Sequence, residues 1–360
     1  MVAISKLVNN GLLLVGQQFY RDLATPEQAS VESYNVVRYL GGSGPYVQHP
    51  GFGISTDIPD KCTLEQVHLM SRHGERFPSL SAGKRFESIM KKVNAYNETF
   101  KGELEFFNDY SYFVEDKDYY EKETTSINSE GTFSGTTDAM KHGLSFRAKY
   151  GSLFNVSEET LKVFTANSAR VHQTSRYFAE GFMGDEYSAE NVDFYILDEG
   201  ADMGANSMTP SYGCLDYHWD INEDIVATYN ESYLNGARER LLEGNEKFNL
   251  TTSDVKNLFQ WCAYEINVTP QGARTITEKY NCGGTSYVRY VINDAVIPIE
   301  TCQSGPGFSC ELSEFESYIE KRLEGISYGS QCGINSTVPS TVSFLWDYAE
   351  KNYTAPDGDF

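Results

Sequence analysis

The sequence predicts an α/β protein: an open sheet flanked by helices, with a smaller helical lobe attached. Two stretches with the same strand–loop–helix plan predict it, residues 66–96 and 161–182. Length is the third observation. At 360 residues the chain exceeds one typical domain and suffices for an α/β unit with a second lobe and a sizeable core.

The first unit opens on Gln66-Val67-His68-Leu69-Met70-Ser71. Its apolar residues read as a buried strand of roughly four to six residues. The loop Arg72-His73-Gly74-Glu75-Arg76-Phe77-Pro78 follows, ended by its Gly and Pro. Ser79 and Ser81 offer N-caps to a helix ending near Ala95, with Phe86, Ile89, Met90, Val93 and Tyr96 on one face. In open α/β sheets the crevice beyond the carboxyl ends of the strands is the usual ligand site. The loop therefore holds the candidate chemistry. A neutral imidazole can take a phosphoryl group covalently, which makes His73 the candidate nucleophile. Arg72 and Arg76 are permanent cations with forked donors that suit phosphate oxygens. Gly74 lets backbone approach a ligand closely. A satisfied histidine between two solvated arginines is the plainer alternative for so short a string.

Residues 97–131 are acidic and aromatic without a sustained period, and read as the irregular start of the helical lobe. A helix over 137–150 puts Met140, Leu144 and Ala148 on one face, with His142 structural. Leu161–Ala166 then reads as the second strand and Asn167-Ser168-Ala169-Arg170 as its loop. The next helix carries Val171, Thr174, Phe178 and Phe182 on one face. The repeated plan puts Arg170 at the same sheet edge as His73. A helix N-terminus repels a cation, and an anion bound there would satisfy both. His172 reads as structural. Val192, Phe194 and Ile196 alternate as a third strand, and residues 221–245 are helical. Ser253-Asp254 caps a helix with Val255, Leu258, Phe259, Cys262, Ala263 and Ile266 in register. Residues 275–280, 286–292 and 296–299 read as strands, with Asn293-Asp294 as a turn. Leu312, Phe315, Ile319 and Leu323 mark a last helix.

The net charge of −22 argues against a nucleic-acid partner, which wants a basic patch. No stretch has the length to cross a membrane. Residues 1–20 have the outline of a secretory signal peptide, with Lys6 before Gly11-Leu12-Leu13-Leu14-Val15-Gly16, although an ordinary N-terminal helix is the alternative. Sequons at Asn97, Asn155, Asn230, Asn249, Asn335 and Asn352 point to a glycosylated, secreted protein, in the periplasmic space or cell wall. A seventh, at Asn267, is followed by Thr269-Pro270 and makes a poor acceptor. The seven cysteines contain no CxxC, so no metal or other cofactor is expected, and secretion implies disulfides. Cys302 and Cys310 flank a Gly-Pro-Gly turn and suit a local staple.

Arg72-His73-Gly74-Glu75-Arg76-Phe77-Pro78 resembles the signature of the histidine acid phosphatases. Leu40-Gly41-Gly42-Ser43-Gly44-Pro45-Tyr46, Tyr287-Val288-Arg289-Tyr290-Val291-Ile292-Asn293-Asp294 and Gly305-Pro306-Gly307-Phe308-Ser309-Cys310 resemble the yeast secreted acid phosphatases and phytases, of the Debaryomyces type above all. The likeness covers nearly the whole chain from about Leu40. It implies the phosphoglycerate-mutase-like histidine phosphatase fold. It implies phosphomonoester hydrolysis, phytate included, through a phosphohistidine on His73. Phosphate would be held by Arg72, Arg76, Arg170 and, in the loop 202–207, Asn206. Disulfides Cys62–Cys282 and Cys214–Cys332 are implied as well, which leaves Cys262 over. The resemblance divides residues 21–360 into an α/β core of about 60–96, 160–200 and 272–325, and a helical lobe of about 97–158 and 215–268. The oligomeric state stays open.

The resemblance also exposes a gap. The departing alkoxide needs a general acid within hydrogen-bond reach. In the family a late His-Asp pair serves, and none of the six histidines here precedes Asp directly. His218-Trp219-Asp220 is nearest, with the wrong spacing. Residues 261–268 resemble one family segment and 270–274 another that lies far downstream. One internal deletion near 268–270 accounts for the missing pair and the odd Cys262. It removes one core strand with adjacent helices, and predicts exposed apolar surface. Two functions follow: an acid phosphatase of doubtful turnover, or an impaired glycoprotein that only binds phosphate esters.

Overall fold

The computed structural model describes residues 42, 44–49, 51–120, 125–129, 134–188, 190–265, 272–334, 337–351 and 353. The N-terminal 1–20, the junction at 268–270 and the sequons at Asn267, Asn335 and Asn352 lie outside these residues. Asn97, Asn155 and Asn249 are exposed, as glycosylation requires.

Strand β1, Cys62–Ser71, is longer than the apolar run that announces it. Its extra length comes from antiparallel pairing with β4, Arg274–Cys282, in register from Cys62 opposite Cys282 to Ser71 opposite Arg274. The expected Cys62–Cys282 disulfide closes the far end of this ladder. Strand β5, Thr285–Ile292, pairs with β4 and with β6, Ala295–Ile297. The β5–β6 turn falls on Asn293-Asp294, both with positive φ, as the twist of a two-residue hairpin demands. β7, Cys310–Glu311, adds to β5. The Cys302–Cys310 and Cys214–Cys332 disulfides are formed, and Cys262 stands outside all three.

Strands β2, Leu161–Ala166, and β3, Val192–Leu197, pair in parallel as a separate sheet. One continuous sheet is thus not formed among the described residues. β1 is correspondingly less buried than its sequence suggests: Gln66, His68 and Met70 are exposed and Val67 and Leu69 only half-buried.

Helix α1, Leu80–Asn94, is capped by Ser79, whose hydroxyl accepts from the Ala82 N–H. Its Phe86, Ile89 and Val93 face a core shared with Phe100, Leu104, Leu234, Val255 and Trp261. So α1 belongs in packing to the helical lobe, although its sequence continues β1. The other long helices among the described residues are α2, Gly135–Tyr150, α3, Ala169–Met183, α4, Glu223–Leu241, α5, Thr252–Glu265, and α6, Leu312–Leu323. Sequence places α2 in the helical lobe. Instead its Phe146 and Tyr150 pack between the two sheets, against Ile276, Tyr280 and Val291 on one side and the α3 cluster on the other. Helix α5 starts with a reciprocal cap, not at Ser253-Asp254: Thr251 Oγ1 accepts from the Asp254 N–H at 3.1 Å and Asp254 Oδ2 from the Thr251 N–H at 2.7 Å. Val255, Trp261 and Tyr264 are its buried face, while Phe259 and Cys262, expected in that face, are exposed. Trp219, Ile221 and Ile225 are exposed at 73, 79 and 71 %. No helix among the described residues is long and apolar enough to cross a membrane.

The crossing of α2 and α3 brings the two loop units together. It needs glycine at both contact points. A Cβ on Gly143 would lie 2.1 Å from the Phe178 carbonyl oxygen, and one on Gly181 2.1 Å from that of Met140. Gly143→Ala should therefore force the helices apart and cost about 1–3 kcal/mol, as overpacking does. Thermal unfolding measures this directly; an unchanged midpoint would contradict the crossing.

Candidate active site

The loop after β1 is held from three sides. The Arg72 N–H donates to the Ala273 carbonyl at 2.9 Å, and the Gly272 N–H to the His73 carbonyl at 2.7 Å. The Gly74 N–H donates to Thr174 Oγ1 at 2.7 Å, and that hydroxyl donates in turn to the Arg170 carbonyl in α3. The third side is α2. A Cβ on Gly74 would lie 2.9 Å from the Gly135 carbonyl oxygen, so Gly74 serves a backbone contact as well as any ligand. The Asn128 N–H closes on the Glu75 carbonyl at 2.6 Å.

This frame orients His73, which is 8 % exposed. Its Nδ1 lies 3.0 Å from the Gly74 carbonyl oxygen. A carbonyl only accepts, so Nδ1 carries the proton and Nε2 presents its lone pair. Burial lowers the His73 pKa well below the ordinary value. Arg72 and Arg76, then Arg170, add to the shift through their positive charge, against the Gly74 hydrogen bond. The imidazole thus stays a neutral base into acid pH.

The positive charges of all three sequence-predicted arginines, Arg72, Arg76 and Arg170, reach His73 and disfavour its imidazolium. Arg72 Nη1 donates to the Gly42 carbonyl at 3.2 Å, Arg76 Nη1 to the Phe77 carbonyl at 2.8 Å, and Arg170 Nη1 to Ser168 Oγ at 2.6 Å. Arg76 Nε is buried without a hydrogen-bond partner among the described residues, a donor that a bound anion would satisfy. Three cations around a neutral nucleophile form an anion site suited to phosphate.

Asn206 is the predicted phosphate contact with other work. Its Nδ2 donates to Ser343 Oγ at 3.0 Å and its Oδ1 accepts from the Ser343 N–H at 2.7 Å, so it anchors the C-terminal segment. His142 packs on Phe178 and His172 on Phe194, both structural, and His218 and Asp220 are exposed.

The sequence reading missed the buried charges behind the loop. Arg274 pairs with Asp294, which also accepts from the Tyr46 hydroxyl, and the guanidinium sits 4.3 Å over the Tyr46 ring. Arg274 and the Asn293-Asp294 turn were both visible as motif residues, but their pairing across the β4–β6 fold was not. Glu75 is 1 % exposed, and its Oε1 accepts from the Tyr46 N–H at 3.2 Å. Burial, then the nearby Asp138 carboxylate, pushes its pKa up to about 7. Of the metal-type donors Cys302, Cys310 and Glu314, the two cysteines are joined in a disulfide.

Glu75 gives a signed pH dependence. The folded chain holds a proton that the unfolded chain releases above about 4.5, the ordinary value. Its contribution is therefore complete below that pH and is lost as pH rises through about 7. Glu75→Gln should remove a loss on the order of 2 kcal/mol across this window. Denaturant unfolding of both proteins at the two ends checks it; parallel pH profiles would contradict it.

Comparison with known proteins bears on this site. Residues 63–270 match the Histidine phosphatase superfamily (branch 2). A phytase of Candida albicans, PHO112, is 43 % identical and the match covers 99 % of each chain. An acid phosphatase of Saccharomyces cerevisiae, PHO11, is 31 % identical over 98 % of this chain and 97 % of that one. The crystal structure of the phytase from D. castellii superposes with a TM-score of 0.86 at 45 % identity, covering 95 % of this chain and 97 % of that one. The Candida alignment spans 460 positions against the 360 residues present, so at least 100 positions hold no residue of this chain.

Proposed function

The chain belongs to the histidine phosphatase superfamily, branch 2, and from that premise we propose that it binds phosphomonoesters, phytate among them, for attack by His73. The observation that carries this is the neutral His73 with Nε2 free, inside the cluster of Arg72, Arg76 and Arg170. Nε2 attacks phosphorus, the P–O bond to the alcohol breaks, and a phosphohistidine forms. Water then cleaves the P–N bond and releases inorganic phosphate. The guanidiniums hold the oxygens in place and offset their charge.

The alcohol leaves as an alkoxide, and here the site is short of a proton. Three carboxyls share a cavity with His73. Glu65 pairs with Lys279 at 3.0 Å, Glu75 is buried against Tyr46, and Asp138 pairs with Lys141 at 3.1 Å. Glu65 and Asp138 are thereby engaged by lysines and Glu75 by the Tyr46 backbone. The proposal is therefore an acid phosphatase by descent with impaired turnover, which still binds its esters. Three disulfides and exposed sequons support a secreted protein.

The test uses the leaving group. Against the Candida relative at about pH 5, phytate turnover should be lower by about a hundredfold or more, the scale of a general acid. With 4-nitrophenyl phosphate, whose phenolate departs without a proton, the deficit should shrink to about tenfold or less. An equal deficit for both esters would place the defect in His73 or phosphate binding instead. Near-normal phytate turnover would show a substitute acid.

A further inference from the structure

A cavity of about 710 Å³ lies between the two sheets. Residues 65–71 of β1 line it in unbroken succession, and residues 161–164 of β2 line its other side the same way. A sheet face would contribute only alternate residues. Unbroken succession means that both strands turn their edges, with rows of backbone N–H and C=O groups, toward the space. Among the described residues neither edge is paired: β1 bonds β4 on its other side, and β2 bonds β3. The strands also run the same way, since the loop after β1 meets the helix after β2 through Gly74 and Thr174. Phe146, Leu153, Phe154, Phe178 and Phe182 complete a largely apolar wall.

We propose that this slot accepts an extended apolar peptide in trans, as a strand parallel to β1 and β2. Backbone chemistry selects the occupant. A hydrocarbon chain would fill the volume but bury two rows of backbone groups without partners, at about 1–3 kcal/mol for each group. An added strand satisfies both rows and fills the apolar wall with alternate side chains. The seven edge residues of β1 span about 23 Å at roughly 3.3 Å per residue, which sets the length of the peptide. Chains of this family have material to spare: the Candida alignment has at least 100 positions empty here. In sequence the junction at 268–270 precedes Gly272 by two residues, and Gly272 is bonded to His73 at the slot's end. A parallel strand would bring its carboxyl end to that same place.

The probe is a set of labelled peptides of about twelve residues, longer than the edge they must cover, tiling the unmatched stretch of the Candida phytase, with scrambled controls. Anisotropy against the full chain should find one overlapping group that binds at least about tenfold tighter than its scrambled forms. Hydrogen exchange on the unmodified protein should then show new protection at residues 65–71 and 161–164. Val163→Trp, which crowds the apolar wall beside the α3 cluster, should weaken the peptide by about tenfold or more while inorganic phosphate binding is unchanged. Retained phosphate binding also reports that the variant is folded. Binding no better than scrambled peptide, or protection elsewhere, would overturn the proposal. So would a concentration-dependent dimer abolished by Val163→Trp, which would assign the slot to a second copy. Peptide binding without any phosphate binding would leave the slot standing and overturn the phosphoester reading alone.

Discussion

Everything at the candidate site depends on keeping one buried imidazole neutral inside a ring of cations. Burial and three guanidiniums both disfavour the imidazolium of His73. The Gly74 carbonyl fixes which nitrogen holds the proton. The same three cations that disfavour a proton would attract a phosphate, so in the proposed function one arrangement sets both the nucleophile and its ligand. The fold exists, at this end, to hold that geometry. The Gly143–Gly181 crossing lets α2 and α3 approach, and Thr174 bridges the β1 loop to Arg170.

The opposite constraint is the divided sheet. A parallel pair such as β2–β3 is ordinarily found within a larger, covered sheet. Here its outer edge and that of β1 border a shared cavity, and β1 carries exposed His68 and Met70. The α5 residues Phe259 and Cys262 are bare in the same way. The Candida alignment leaves at least 100 positions without a residue of this chain. The arginines and His73 of the candidate site come from β1, α3 and their loops.

Local periodicity made most elements legible. Leu161–Ala166 and Leu312–Leu323 have the bounds their patterns imply, and Ser79 caps α1 as its position suggests. His73, Arg72, Arg76 and Arg170 could be read because each sits in a loop whose flanking strand and helix place it. What could not be read depends on distant pairing. The ten-residue length of β1 reflects β4, some 200 residues later. The home of α2 reflects glycine contacts that spacing does not announce. Cys262 falls in the apolar register of α5 yet is exposed, since register alone does not say which apolar stripe is buried. Glu75 looks like a surface charge in its string, and only the approach of Tyr46 and Asp138 makes it a buried acid. Asn206 shows the limit of resemblance, which located its loop but not its hydrogen bonds to Ser343.

The most direct measurement is the protonation state of His73 itself. Nitrogen-15 NMR of imidazole-labelled protein, with His73→Ala to assign the signal, reports both ring nitrogens across the acid range. A neutral ring with the proton on Nδ1 at pH near 5 is the outcome required by burial among three guanidiniums. An imidazolium at that pH, or a neutral ring protonated on Nε2, would contradict it, because neither form leaves a lone pair where phosphorus must arrive.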